Sequence, residues 1–295
     1  MKKIKTIVFP VGGFGTRFLP ATKATPKEML PVAEKPLVQY AFEEAMDAGI
    51  EKFIFVTGRN KNSIEDHFDN AFELQKTLDE KKKTEMLEKT IGWLPPAGQI
   101  VFLRQQKPLG LGHAVLCAEK FVGDEPFAVS LADDMIYGEN ENFLKKMIDL
   151  AENKDASVIG IAEVEKKDVS KYGIIDPSDF DNNIYKIKSM VEKPAVEDAP
   201  SNLSILGRYV LKPEIFDFLK RTEKGSGDEI QLTDAMKSML IAGGNFYGLK
   251  FNDRRFDCGS IVGYLEANIH YALKNEKIKD RVKKMILDFS RGFNE

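Results

Sequence analysis

Glycines at positions 12, 13 and 15 follow directly on an apolar run at residues 4–9, and the cations Arg17, Lys23 and Lys27 come next. A glycine cluster after a buried strand stands at the carboxyl edge where open α/β sheets take their ligands. Without Cβ atoms the backbone can approach a nucleotide and turn its N–H groups toward phosphate oxygens. The three cations suit the charge of a triphosphate. Two familiar phosphate loops do not fit. A dinucleotide fingerprint needs a glycine where Phe18 stands and a helix directly after it, and a P-loop needs Gly-Lys-Ser/Thr where the chain reads Gly15-Thr16-Arg17. Pro20, Pro26 and Pro31 instead forbid a helix and predict an extended segment. Further on, Asp133 and Asp134 close an apolar run at 127–131, and Asp257 lies in a Phe-Asp-Cys-Gly turn after a run at 246–251.

The string Gly13-Phe-Gly-Thr-Arg17, followed by Pro-Lys-Glu-Met-Leu-Pro at 26–31, resembles the signature of sugar-phosphate nucleotidyltransferases. It is most similar to the bacterial members that act on glucose 1-phosphate and UTP. Pieces along the chain carry the same resemblance in order: Leu37-Val-Gln-Tyr40, Gly110-Leu-Gly-His-Ala-Val115, Leu131-Ala-Asp-Asp134, Tyr172-Gly-Ile174, Val191-Glu-Lys-Pro194, Gly207-Arg-Tyr-Val-Leu211 and Phe256-Asp-Cys-Gly259. It covers residues 4–270.

The resemblance implies transfer of UMP from UTP to glucose 1-phosphate, giving UDP-glucose and pyrophosphate. Attack by the sugar phosphate on the α-phosphorus would be in line, assisted by magnesium, with no covalent intermediate. A phosphate monoester is mostly dianionic at neutral pH, its second pKa being about 6, so no general base is required. The lack of a Ser/His/Asp constellation is then expected, and catalysis rests on positioning and charge neutralisation. By resemblance, Asp133 and Asp257 hold the Mg2+, a hard cation that takes one or two carboxylates. Asp134 is the nearest rival. Adjacent strand residues point to opposite faces, so only one of the pair should reach the metal, and Asp134→Asn should be mild. Arg17, Lys27, Asp133 and Lys193 are the expected catalytic residues; Gly12, Gly13, Gly15, Glu28, Gln105 and Gly110 are expected to hold the nucleotide. Gly173, Glu192, Asn202 and Gly207 are expected around the sugar, with Lys193 gripping its phosphate. Gln105 resembles the glutamine that pairs with the uracil edge, and Gln106 competes for that role. His113 reads as a packing or capping histidine. The tripeptide of Glu192–Pro194 also occurs at Glu34–Pro36, where it reads as loop. Within the family, dTTP with glucose, GTP with mannose and UTP with an amino sugar are the alternatives. The last usually brings a hexapeptide-repeat domain, and this sequence has no such repeat.

Alternating patterns supply the frame for these residues. Strand-like runs at 4–9, 52–57, 100–103, 127–131, 156–164, 185–191 and 246–251 are separated by helical patterns at 37–48, 63–89, 112–121, 144–153, 213–221 and 229–242. The order predicts an α/β, Rossmann-like mixed sheet, mainly parallel and flanked by helices. Residues 1–260 form its core and 261–295 a C-terminal helical arm of the same unit, with an apolar stripe suited to core or subunit contact. A homodimer or homotetramer is expected. Lys81–Lys83 reads as a solvated helix face.

Bulk properties exclude other classes. Of 295 residues 43 are basic and 46 acidic, a net charge of -3, which argues against non-specific nucleic-acid or anionic-membrane binding. No stretch approaches the roughly 18 apolar residues of a membrane span. The N-terminal run is too short for a signal peptide. The two isolated cysteines, Cys117 and Cys258, make neither a zinc site nor a disulfide framework, so a cytoplasmic protein is expected.

Overall fold

In the computed structural model, which describes residues 2–138 and 141–292, the first apolar run becomes β1 (Thr6–Val11). Its alternate residues serve two cores: Ile7, Phe9 and Val11 face one side and Val8 the other. A small ribbon follows, β2 (Pro31–Val32) with β3 (Lys35–Pro36), and leads into α1 (Leu37–Asp47). Next come β4 (Lys52–Thr57), the helices α2 (Asn62–His67), α3 (Phe72–Glu80) and α4 (Thr84–Ile91), and β5 (Ile100–Arg104). Then α5 (Leu111–Cys117), α6 (Glu119–Val122), β6 (Phe127–Ser130), β7 (Asp134–Tyr137), α7 (Phe143–Lys154) and β8 (Ser157–Glu163) follow. The later chain forms β9 (Gly173–Asp181), β10 (Ile184–Glu192), β11 (Leu203–Leu211), α8 (Ile215–Leu219), α9 (Leu232–Ile241), β12 (Phe246–Lys250) and β13 (Arg254–Asp257). It closes with α10 (Ile261–Lys274) and α11 (Lys279–Gly292).

The main sheet runs β5-β4-β1-β6-β11-β8-β12-β10-β9. It is mixed, as expected, but not mainly parallel: parallel pairing is concentrated in β5, β4, β1 and β6, and antiparallel pairs prevail beyond them. Beyond β6 only β8 and β12 pair in parallel; β11 lies antiparallel to both β6 and β8, and β10 to both β12 and β9. Helices α1 and α7 cover one face, through Val38, Phe42, Leu144 and Met147; α5, α8 and α9 cover the other, through Val115, Phe216 and Met236. The antiparallel ribbon β7–β13 lies outside the sheet. With α10 it encloses a third core of Val32, Leu37, Met135, Phe256, Cys258 and Ala267. The arm is therefore fused to the ribbon by shared side chains. Among the described residues no helix is long and apolar enough to cross a membrane.

Several local expectations are corrected. Residues 63–89 are three helices rather than one, and Lys81–Lys83 is the joint between α3 and α4, with Lys82 at φ 53, not a helix face. The proline-bearing segment after the glycines is not extended. It closes three single 3-10 turns, with Phe18 N–H donating to Gly15 O, Lys23 N–H to Pro20 O, and Met29 N–H to Pro26 O. Proline is tolerated where a turn begins, because its missing N–H is not needed there. Strands β9 and β11 were absent from the periodicity. In β9, Pro177 cannot donate to the ladder, and the register with β10 shifts beside it. In β11 all nine residues are buried, so no polar alternation marks it.

Candidate active site

The two adjacent aspartates have separate duties. Beyond β6 the chain turns at Leu131, and Asp134 opens β7 with its carboxylate buried. It accepts the Gly207 N–H at 2.9 Å and a two-pronged pair from Arg255, Nε at 2.8 Å and Nη2 at 2.9 Å. Gly207 sits where the β11–β8 register shifts, so its N–H is freed from the ladder to meet this carboxylate. A Cβ there would come within 2.7 Å of Leu131 Cβ, which only glycine avoids. Asp134 thus ties β7 to β11 and β13, so its loss bears on stability as well as on the cavity that it helps to line. The buried Arg208 adds a further tie, donating to Glu44 Oε2 at 2.9 Å and to Leu131 O at 2.9 Å.

Asp133 lines a cavity of ≈ 780 Å3 together with Asp134, Asp257 and Arg17. The ribbon brings Asp257 here, and the Cys258 N–H donates to Asp133 O at 2.8 Å. Asp257 is held from two sides, accepting Tyr172 Oη–H at 3.1 Å and Gly259 N–H at 3.0 Å. Burial and the neighbouring Asp257 keep the Tyr172 hydroxyl above its ordinary pKa, so it stays a donor. Gly259 forms the floor between these groups. A Cβ on it would stand 3.0 Å from Asp257 Oδ1, 3.2 Å from Arg17 Nη1 and 3.2 Å from Asp133 Oδ2. Three charged atoms therefore surround a cradle that a single methyl would fill. Arg17 is steadied by donating to Gly259 O at 3.2 Å. Lys27 passes beside the glycine loop to reach Asp133 Oδ2 at 2.5 Å. Burial alone would raise the Asp133 carboxyl; Lys27, with help from Arg17, holds it below the usual carboxylate range.

The cradle fits magnesium by donor chemistry. Among the described residues no group of three or more His, Cys, Asp and Glu side chains gathers to hold a metal. Two carboxylates do converge, which is the set that Mg2+ takes when waters and phosphate oxygens complete its shell.

Of the residues expected around the sugar, Gly173, Glu192, Lys193 and Gly207 meet in the same cavity. Gly173 and Glu192 are direct partners in the β9–β10 ladder. Thr233 donates to Glu192 Oε2 at 2.7 Å. Lys193 has φ 46, a left-handed conformation that a non-glycine residue adopts at a cost, and its N–H donates to Tyr172 O at 3.0 Å. Asn202 is not brought in: it is exposed beside Val164, and is not among the lining residues.

Gly12, Gly13, Gly15, Lys27, Gln105 and Gly110 lie beyond the lining of that cavity, around the glycine loop. Gln105 is buried, and its N–H extends the sheet edge by donating to Thr57 O at 2.8 Å; Gln106 is exposed. Gln105 Oε1 stands 3.2 Å from where a Gly12 Cβ would be. Glu28, expected at the nucleotide, is instead buried against Lys61 at 2.8 Å, with side chains 2% and 6% exposed. Burial pushes its carboxyl up against the pull of Lys27 and Lys61. Lys23 is exposed.

A family model described as nucleotidyl transferase matches residues 6–274. The chain belongs to the nucleotidyl transferase family. This transferase is 47% identical over 286 residues to the UTP–glucose-1-phosphate uridylyltransferase of Staphylococcus epidermidis, covering 97% of this chain and 98% of the relative. It is similar to the UTP-bound UGPase from Acinetobacter baumannii, with TM-score 0.89 and 42% identity over 96% of this chain and 99% of that one. A UDP-glucose pyrophosphorylase complexed with UDP-glucose gives TM-score 0.83 and 44% identity, over 92% and 100% of the two chains.

Several residues of the transferase site escaped the sequence. Thr233, Arg255 and the α10 residues Val262, Gly263 and Glu266 line the cavity, so a boundary drawn at residue 260 runs through its wall. The family strings flag Tyr172 and Arg208 only as members of motifs. Nothing local marks Thr233, whose value lies in meeting Glu192 across 41 residues.

Proposed function

We propose that this transferase is a UTP–glucose-1-phosphate uridylyltransferase, moving UMP from UTP to glucose 1-phosphate and releasing pyrophosphate. The observation that carries the reading is the meeting of Asp133, Asp257 and Arg17 over Gly259, between the glycine loop and the Glu192–Lys193 pocket. The activity is the one named for the Staphylococcus relative, and solved relatives hold UTP and UDP-glucose.

In this reading an oxygen of the sugar phosphate forms a bond to the α-phosphorus while the bond to the bridging oxygen breaks. Pyrophosphate carries the electron pair away. The nucleophile is already ionised, so the protein's task is to hold two polyanions in line and offset their repulsion. Arg17 and Lys27 neutralise the triphosphate, Lys193 binds the phosphate of glucose 1-phosphate, and Glu192 accepts hydrogen bonds from glucose hydroxyls. Asp133 and Asp257 would hold Mg2+, which neutralises charge at the α-phosphate when bound. The unpaired Cys117 and Cys258 accord with a cytoplasmic enzyme. Exposed Ile261, Leu265 and Ile269 of α10 would supply the contact of a homodimer or homotetramer.

A screen of nucleoside triphosphates against sugar phosphates, scored by pyrophosphate release, tests the substrates. UTP with glucose 1-phosphate should lead, and a clear preference for dTTP, GTP or an amino sugar would overturn the assignment. Asp257→Asn should fold normally and lose at least about a hundredfold in turnover, roughly 2.7 kcal/mol of barrier. Near-normal turnover of that variant at low magnesium would leave Asp133 as the sole protein ligand.

A further inference from the structure

Both hydrogens of the Gln105 amide are engaged. Nε2 donates to Gly110 O at 3.1 Å and to His113 Nδ1 at 2.9 Å. A carbonyl can only accept, so the amide nitrogen, not the oxygen, faces that corner. His113 Nδ1 must then accept too, which puts the single proton of a neutral imidazole on Nε2. Burial favours that neutral form by holding the His113 pKa below its ordinary value. Cys117 Sγ, one helical turn on, approaches the same nitrogen at 3.8 Å as a second, weak donor. What remains of the amide is Oε1, beside the Gly12 backbone.

We infer that His113 is a positioning residue for base choice: it fixes the Gln105 amide so that the base site meets an acceptor and no donor, which excludes cytosine. The inference rests on the reading that Gln105 meets the base. Uracil carries a hydrogen on N3 and satisfies Oε1, whereas cytosine presents a lone pair there, leaving two acceptors face to face in a buried site. To accommodate cytosine the amide must turn over and aim its oxygen at Gly110 O and His113 Nδ1. Gly110 O also accepts the Ala114 N–H at 3.1 Å and opposes the turned amide in every variant. The His113 nitrogen is the second acceptor against the turn and the one that a side-chain change removes, so its loss weakens the lock. Gln105 makes one bond to uracil rather than two, and O4 takes its donor elsewhere. Thymine shares the N3–H, so the lock does not distinguish dTTP from UTP.

The test compares kcat/KM for UTP, CTP and dTTP in the unsubstituted enzyme and in His113→Phe, His113→Asn and Gln105→Leu. Each preference is a ratio within one preparation, so any loss of folded protein cancels. Where CTP turnover is undetectable, its inhibition constant against UTP supplies the ratio. His113→Phe should lower the preference for UTP over CTP by about tenfold or more while the UTP-to-dTTP ratio stays put. His113→Asn, whose Oδ1 can replace Nδ1 as acceptor, should retain the preference. If His113→Phe keeps full preference while Gln105→Leu loses it, the lock is overturned and Gln105 remains the reader. Full preference in Gln105→Leu would overturn the reading beneath it. Equal losses against CTP and dTTP would mark general loosening and also overturn the lock.

Discussion

The two walls of the cleft are built by different means. The glycine-loop wall, where the proposed reading puts the nucleotide, is mostly one stretch, residues 11–31, folded as three short turns beside parallel strands. The opposite wall, where the proposed reading puts the sugar, is assembled from the β9–β10 hairpin, the start of α9 and the first turn of α10. Their lysines show the contrast. Lys27 is fixed by an ion pair with Asp133 and has a side chain 23% exposed. Lys193 is 43% exposed, lies 3.4 Å from Glu192, and is aimed by a left-handed backbone. Charge orders one wall, and backbone geometry orders the other. The joint between the β7–β13 ribbon and the main sheet is Asp134.

Breaking that joint should give the largest effect. Asp134→Asn weakens a buried pair with Arg255 and should cost about 3–5 kcal/mol of stability, read as a lower denaturant midpoint. Asp133→Asn, whose pair with Lys27 is partly exposed, should cost less than about 1 kcal/mol of stability. Equal destabilisation by the two changes would erase the distinction drawn between neighbouring aspartates.

Next in size are the cations. Arg17→Ala and Lys193→Ala should each lose about 2–4 kcal/mol of transition-state stabilisation. Arg17→Ala should act mainly on KM for UTP and Lys193→Ala on KM for glucose 1-phosphate; matching changes in both constants would mean the walls do not divide the substrates.

A smaller change sharpens the sugar wall alone. Thr233→Val removes the donor to Glu192 and should raise KM for glucose 1-phosphate by the equivalent of about 1 kcal/mol, leaving KM for UTP alone. Smallest is the pH response. A carboxyl whose folded pKa is depressed, like Asp133, keeps its charge and its contribution above the ordinary range and yields them only as pH falls through the lower value. The acid limb of kcat should therefore lie near about pH 6, where the sugar phosphate gains its second proton. A limb between pH 4 and 5 would instead implicate a carboxylate of ordinary pKa.

The same contrast explains what the sequence reveals. Arg17, Lys27 and the glycines are readable because one short string brings them together. Asp133 is readable from the end of a buried strand, and Asp257 through the family resemblance. Alternation along a strand is silent on the partner of Asp134, Arg255, which lies 121 residues away. Glu28 sits in the most legible string of all, yet its partner Lys61 comes from the far side of β4 in sequence, and a local reading turned it toward the nucleotide. Glu34-Lys-Pro36 and Glu192-Lys-Pro194 are identical in letters. Lys35 bonds to Glu43 and lies over Tyr40, whereas Lys193 enters the cleft. Only the surrounding fold tells them apart.

The ribbon β7–β13 also sets a timetable. Asp133 leaves the ribosome long before Asp257, and at roughly 5–20 residues per second the wait is on the order of ten seconds. Throughout it the nascent chain owns its glycine loop and its parallel strands but only one of the two carboxylates, and β7 has no strand beside it. A partly synthesised chain would therefore hold the glycine loop without the second carboxylate of the proposed metal site. The cradle is complete only when the last short strand has docked and Gly259 and the first turn of α10 have followed it.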